Sequence, residues 1–184
     1  LSVVVGDVTG QGKLMDMGDM LLLADNAAGE HGIIYGFDKR TGEKTFLTEG
    51  VDFAMAPDRA TMAVFEYLDY GEEVGYGNLK IYSFLNRSET MVAPGSVVQS
   101  FAYLPSSTAL IYTDGTKSDE TYGFNNALLT YDMGTSTATT LGYLTSGRFV
   151  LLNDAKRLAL MDDYLGSDGK YHYTTYQLDW KNYQ

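Results

Sequence analysis

Hydrophobic and polar positions along the chain fall into short runs that recur. The runs "FAMAPDRATMAVF" at 53–65, "FAYLPSSTALIY" at 101–112 and "FVLLNDAKRLALM" at 149–161 place Phe53, Phe101 and Phe149 at intervals of 48 residues. A second register, Phe37, Phe84, Tyr131 and Leu178, steps by 47 through "GFDKRTG", "SFLNRSE", "TYDMGTS" and "QLDWKNY". Self-similarity at such a period marks a repeat architecture. Each unit resolves into runs rich in Val, Ile, Phe, Tyr and Thr, separated by Pro, Gly, Asn and Asp, which reads as strands joined by turns. In the second unit the pattern predicts strands over 51–56, 61–67, 78–84 and 89–92, four to the unit.

The second strand of each unit reads "MLLLA", "MAVF", "ALIY" or "LALM", apolar on both faces of the pleat. A strand of that kind must be covered on both sides, so neighbouring sheets must stack face to face. Antiparallel four-stranded sheets repeated at this period and packed on one another form an all-β structure, the β-propeller. A helical solenoid ranks well below it, because no segment holds a helical apolar period for three turns. The stretch "VVGDVTGQG" at 4–12 matches "TLGYLTSG" at 140–147, so the chain opens on an outer strand. The expected organisation is an outer strand over 1–8, complete blades over 9–47, 48–92 and 93–141, and a last blade over 142–184 lacking its outer strand. Such a ragged end lets a ring close by strand exchange and removes sheet edges. Strand 1–8 is expected to pair with 173–179, within one chain or between two. Four blades make an unusually small ring and the sequence starts at Leu1 rather than Met. We therefore expect the C-terminal half of a larger propeller, completed by N-terminal blades or by a homodimer.

The run "GEKTFLTEGVDFAMAPDRATMAVF", followed by "LKIYSF", resembles the blade repeat of TolB-like and WD-repeat-like propellers. In that repeat a Gly-Glu strand leads through Leu-Thr to a Pro-Asp turn and then an apolar strand. The resemblance extends over all four units, but only Pro57 and Asp58 match the turn fully. The third unit has Pro105 and Ser106, and the fourth Asn153 and Asp154. It implies a propeller with a binding role and carries no catalytic residues.

Composition narrows the function. The 184 residues carry a net charge of −11, from 24 acidic and 13 basic side chains, which argues against nucleic acid or an anionic membrane as partner. A basic protein or a neutral glycan fits better. With no cysteine there is neither a disulfide framework nor a thiolate metal site. No apolar run approaches the length of a helical span. Fifteen tyrosines and plentiful Gly, Thr and Ser without Cys suggest an exported bacterial protein of the cell envelope, periplasm or exterior.

Because strand direction alternates, the turns divide between two faces. The turns between first and second strands, and between third and fourth, carry Lys39, Arg40, Arg59, Arg87, Lys156, Arg157 and Lys181. The hairpins between second and third strands are long: "DNAAGEHG" from 25, "DYGEEVGYGN" from 69, "DGTKSDETYGFNN" from 114 and "DDYLGSDGKYHY" from 162. They hold 11 of the 24 acids against Lys117 and Lys170. Loops longer than a turn requires, on one rim of a rigid scaffold, are where binding resides. The candidate ligand-binding residues are Asp69, Tyr70, Glu72, Glu73, Tyr76, Asp119, Glu120, Tyr122, Asp163, Tyr164, Asp168 and Tyr171. The same hairpins would also serve solubility and blunt sheet edges, and a tyrosine beside glycines commonly packs across its own turn.

No catalytic motif accompanies the repeat. Paired carboxylates of a polysaccharide lyase or hydrolase are the enzymatic alternative, and a purely structural domain of a larger polypeptide is the third. His31 and His172 occupy equivalent hairpins and read as solvated loop residues. The sequence calls for no cofactor; "DNAAGEHG" and "GSDGKYHY" lack the ligand spacing of a calcium loop and would hold a cation only weakly.

Overall fold

The structure, a computed structural model, describes residues 12–26, 31–69, 76–119, 125–151, 157–165 and 167–179. These residues contain no helix and form fifteen strands in four antiparallel sheets. The first sheet comprises β1 (Gly12–Asp16), β2 (Met20–Asp25), β3 (Ile33–Asp38) and β4 (Lys44–Glu49). The second comprises β5 (Asp52–Met55), β6 (Thr61–Asp69), β7 (Tyr76–Ser83) and β8 (Ser88–Val97). The third comprises β9 (Phe101–Tyr103), β10 (Ala109–Asp114), β11 (Asn126–Asp132) and β12 (Thr137–Leu144). The fourth comprises β13 (Arg148–Leu151), β14 (Arg157–Leu165) and β15 (Tyr171–Asp179). In every sheet the strands lie side by side in chain order. The stretch 1–8, expected as an outer strand, lies outside the described residues.

Register shows that the repeat is structural. Phe53 stands opposite Val64, Phe101 opposite Tyr112 and Phe149 opposite Leu160. The three phenylalanines thus hold one place, which in the first sheet belongs to Leu14, opposite Leu23. The second register needs one correction. Phe37, Tyr131 and Leu178 face Leu21, Leu110 and Leu158, but the residue facing Met62 is Tyr82, not Phe84. Phe84 follows β7 in the turn and meets Tyr82 edge to face at 5.4 Å. A slip of two residues preserves the side of the pleat, so the sequence pattern cannot detect it. Strand β8 also runs past the expected 89–92. Pro94 is tolerated there because β8 is the outermost strand, and the ladder shifts register opposite Leu79 as it passes Gly95, whose φ is +58°.

Burial follows a period of two. In β6, Met62 and Val64 pack toward the first sheet with Leu22, Ala24, Ile34 and Phe53, while Ala63 and Phe65 pack toward the third. In β10, Leu110 and Tyr112 face the second sheet and Ile111 faces the fourth, beside Phe149. Half of the outer strand β4 and most of the outer strand β12 are exposed. Neighbouring sheets are joined near their first strands by polar contacts as well. Lys13 Nζ donates to Asp52 at 2.9 Å and to the Phe53 carbonyl at 2.5 Å, and the Phe149 amide donates to Ser100 Oγ at 3.2 Å.

Two core tyrosines carry a cost. Burial pushes the Tyr103 phenol up to about 12 even though it shares a 2.9 Å hydrogen bond with Thr61 Oγ1. Burial likewise pushes Tyr112 up to about 12, and its hydroxyl is shut from solvent with no hydrogen-bond partner. An unsatisfied buried hydroxyl costs about 1–3 kcal/mol. Tyr112→Phe is therefore expected to raise stability by about 1 kcal/mol in denaturant unfolding. A loss instead would show that the hydroxyl does find a partner. Because both phenols are favoured in the neutral form, their linkage runs one way: stability is full below the unfolded value near 10 and falls as pH rises toward about 12. A pH titration of the melting temperature checks this, and Tyr112→Phe should flatten the alkaline limb.

Candidate functional site on the hairpin face

Hairpins between second and third strands share a face with the connections between sheets. The Gly50 amide, in the connection to β5, donates to the Gly32 carbonyl at 3.0 Å, and the Gly115 amide donates to the Val97 carbonyl at 2.8 Å. The longest described gap lies between β10 and β11, from Asp114 to Asn126.

The candidate residues distribute unevenly. Tyr70, Glu72, Glu73, Glu120 and Tyr122 lie outside the described residues. Asp69 ends β6 and stands opposite Tyr76, the first residue of β7. Tyr76 is 44% exposed, but its hydroxyl lies over Gly95 of β8, where an added Cβ would come within 2.5 Å of it. Asp119 sits on the β10–β11 hairpin, and Asp168 accepts the Lys170 amide at 3.1 Å in the last turn. Asp163, Tyr164 and Tyr171 belong to the β14–β15 ladder rather than to a loop: Asp163 faces Tyr173, Tyr164 faces His172 and Tyr171 faces Leu165. That hairpin is shorter than its composition suggests because the pairing runs on through an Asp-Asp pair, residues usually depleted in strands.

Not every hairpin acid is displayed. Asp25, Glu66, Asp114 and Asp162 occupy the same ladder place, two residues beyond Leu23, Val64, Tyr112 and Leu160. Asp25 is buried, and Asp114 is wholly so. Asp114 accepts from Ser96 Oγ of the preceding sheet at 3.2 Å and from Thr116 Oγ1 at 2.7 Å, and pairs with Lys117 at 3.3 Å. Glu66 pairs with Lys80 and accepts from Asn78 Nδ2 at 2.7 Å. Burial works to raise the Glu66 pKa, but the hydrogen bonds from Lys80 and Asn78 outweigh it and hold the carboxyl below its usual range. Lys80 also meets Glu89 at 3.1 Å, and Glu89 accepts from Thr48 of the first sheet. His31 is a correction to the expectation of a solvated loop residue. Its Nδ1 is shut from solvent without a hydrogen-bond partner, and the ring lies near enough to Glu66 to help lower that carboxyl.

The opposite face carries acids at its turns as well as Lys39, Arg40, Arg59 and Arg87, while Lys156 and Lys181 lie outside the described residues. Lys39 pairs with Asp16 at 2.5 Å, and this bond, with the Gly18 amide, lowers the Asp16 pKa. Amides of Thr41 and Arg40 lower Asp38, and that of Thr135 lowers Asp132. Aspartate recurs here because its carboxylate caps the turn amides.

A cavity of about 500 Å³ opens on the hairpin face at the third sheet, lined by Val97, Gln99, Asn126, Thr145, Ser146 and Arg148 among others. Asn126 is 4% exposed, and its Nδ2 donates to the Thr145 carbonyl at 3.4 Å. Its Oδ1 and the Thr145 hydroxyl have no partner. Sequence reasoning missed this site, because "NN" at 125–126 and "LTSGR" at 144–148 read as turns; the only signal was an amide at a strand's first position. Among the described residues no three His, Asp or Glu side chains stand together as a metal site would require. Those residues also include no helix long and apolar enough to cross a membrane.

Stacked antiparallel sheets joined in this way are β-propeller blades, and comparison with solved structures agrees. The acylaminoacyl peptidase of Pyrococcus horikoshii aligns over 91% of this chain and 31% of its own, at 11% identity and a TM-score of 0.60. The β-propeller domain of the Trilobed protease from Pyrococcus furiosus, described as having an open velcro topology, aligns over 91% of this chain and 54% of its own, at 11% and 0.60. A putative TolB from Agrobacterium tumefaciens aligns over 88% and 62%, at 12% and 0.54. The fold-level TolB-like resemblance therefore holds. These identities establish the fold alone, and the chain spans 31% to 62% of the length of these three structures. No protein-family model and no curated protein sequence matches it.

Proposed function

We propose that this chain is a non-enzymatic recognition propeller of an exported bacterial protein, which binds a protein or glycan through the hairpin face. The observation that carries this reading is the cavity on that face. It is built on strand ends, is lined by hydrogen-bonding groups that the protein leaves unused, and takes Gly115 and Asn125 from the two ends of the β10–β11 hairpin. Peptidase and lyase propellers share the architecture, but a shared fold does not transfer chemistry.

Grouped replacement of Asp69, Glu72, Glu73, Asp119, Glu120, Asp163 and Asp168 by Asn or Gln is expected to abolish capture of the partner from cell envelopes and to leave the far-UV spectrum unchanged. Replacing Arg40, Arg59, Arg87 and Arg157 should have much less effect. A basic protein partner would bind more weakly as salt rises, since exposed charges are screened beyond about 8 Å at physiological ionic strength. Retention of the partner by the acidic-face variant and its loss from the basic-face variant would reverse the assignment.

A further inference from the structure

We infer that the cavity beside Asn126 is a subsite for one neutral pyranose unit of a glycan. This deepens the proposed recognition role and rests on it. The volume of about 500 Å³ lies in the roughly 300–1,000 Å³ range of small-molecule sites. Its floor is pre-organised. The orientation of Asn126 follows from its Nδ2 bond to the Thr145 carbonyl, because a flipped amide would set two acceptors against each other. Oδ1 is then left pointing between Gln99, Gly115 and Gly147, where a Cβ added to Gly147 would lie 2.8 Å away and one added to Gly115 3.1 Å away. The two glycines lie close against this acceptor, where an added side chain would collide with it, with Gln99 or with Val97, and the protein itself supplies it no donor.

A buried acceptor without a partner is costly, and a ligand that brings a donor recovers that cost on binding. Sugar hydroxyls suit this floor because each both donates and accepts: one donates to Asn126 Oδ1, and its neighbour on the ring exchanges a hydrogen bond with Thr145 Oγ1. Val97 and the bare Cα atoms of the two glycines offer an apolar surface to the C–H face of the ring. A peptide is a poorer fit, since among the described residues Val97 is the one bulky apolar side chain lining the cavity and interfaces with proteins depend on aromatic or other large anchors. Neutrality follows from charge. Among the described residues Arg148 is the single charged side chain lining the cavity, and the chain as a whole carries a net charge of −11, so a uronate would gain one contact and meet a repulsive field.

The test uses the intact 184-residue chain, isotopically labelled and titrated with neutral oligosaccharides of glucose, galactose, mannose and xylose and, separately, with oligogalacturonate. At least one neutral series should shift the amide resonances of Gly115 and Gly147. Thr145→Val, which keeps shape and removes only the hydroxyl, should weaken that sugar roughly tenfold, the value of one hydrogen bond, as should Asn126→Ala. The inference is overturned if no neutral sugar shifts those amides, if Thr145→Val binds undiminished, or if oligogalacturonate binds more tightly than every neutral series. In the first of these cases, capture of an envelope protein that the acidic-face variant loses would leave the broader recognition role standing without the sugar subsite.

Discussion

Alanine at position 53 is expected to lower the unfolding free energy by about 3–5 kcal/mol, as truncation of a fully buried aromatic does. Phe53 is wholly buried, and its ring lies in the cluster that joins the first and second sheets, against Met62 and Val64 on its own sheet and Leu22 and Ile34 on the next. Removing it opens a cavity between two rigid sheets that cannot close without breaking the stack. Leu14 supplies the control. It holds the same ladder place in the first sheet, yet it is 59% exposed. Leu14→Ala should therefore change stability by no more than about 0.5 kcal/mol. Chemical unfolding of both variants checks the pair, and equal losses would mean that ladder place, rather than cover by a neighbouring sheet, decides the energy.

The second large effect is expected at Lys80. This side chain is 4% exposed, stands between Glu66 and Glu89, and through Glu89 reaches Thr48 of the first sheet. Lys80→Ala leaves the nearly buried Glu66 carboxylate without its cation, and breaking a buried pair in this way costs about 3–5 kcal/mol. Lys80→Ala combined with Glu66→Ala should cost less than the sum of the two single changes, because neither partner is then stranded. The pH dependence has a definite sign. Glu66 has a lowered pKa in the folded protein, so its contribution is complete above the unfolded value near 4.3 and is lost as pH falls through the folded value. Without the cation, burial raises the Glu66 pKa, so the fall in stability on acidification should be shallower in a Lys80→Met variant than in the parent. Identical acid limbs would show that the pair does not hold the two sheets together.

Much of the architecture is written in the chain. The two-sided apolar strands, such as Met62 to Phe65, require cover on both faces, and the 48-residue spacing of Phe53, Phe101 and Phe149 places them at one ladder position. Errors appeared where a local pattern is insensitive to a shift of two residues, as at Phe84 and Tyr82, or where composition outweighed pairing. The Asp-Asp of β14 and the Pro-Gly of β8 look like loop, and cross-strand partners carry both on as strand.

The candidate site was legible only as a face. Alternating strand direction and long gaps between apolar runs are local properties, and they suffice to gather the hairpins on one side and to set the fold as stacked antiparallel sheets. Which of those polar residues meet solvent is not local. Asp114 is buried because Ser96, eighteen positions earlier in the preceding sheet, closes over it, and Glu66 is largely withdrawn from solvent where Lys80 and Asn78 of β7 bond to it. Asn126 acquires its unpaired acceptor because the connections around Gln99 and Gly147, from two different sheet junctions, converge on it. The chain alone therefore determined the strands, their period and the side on which the loops emerge, through side-chain alternation and turn chemistry. The tertiary structure decided which acids are displayed and where the cavity opens, because burial and hydrogen-bond satisfaction depend on neighbours that only the stacking of sheets supplies.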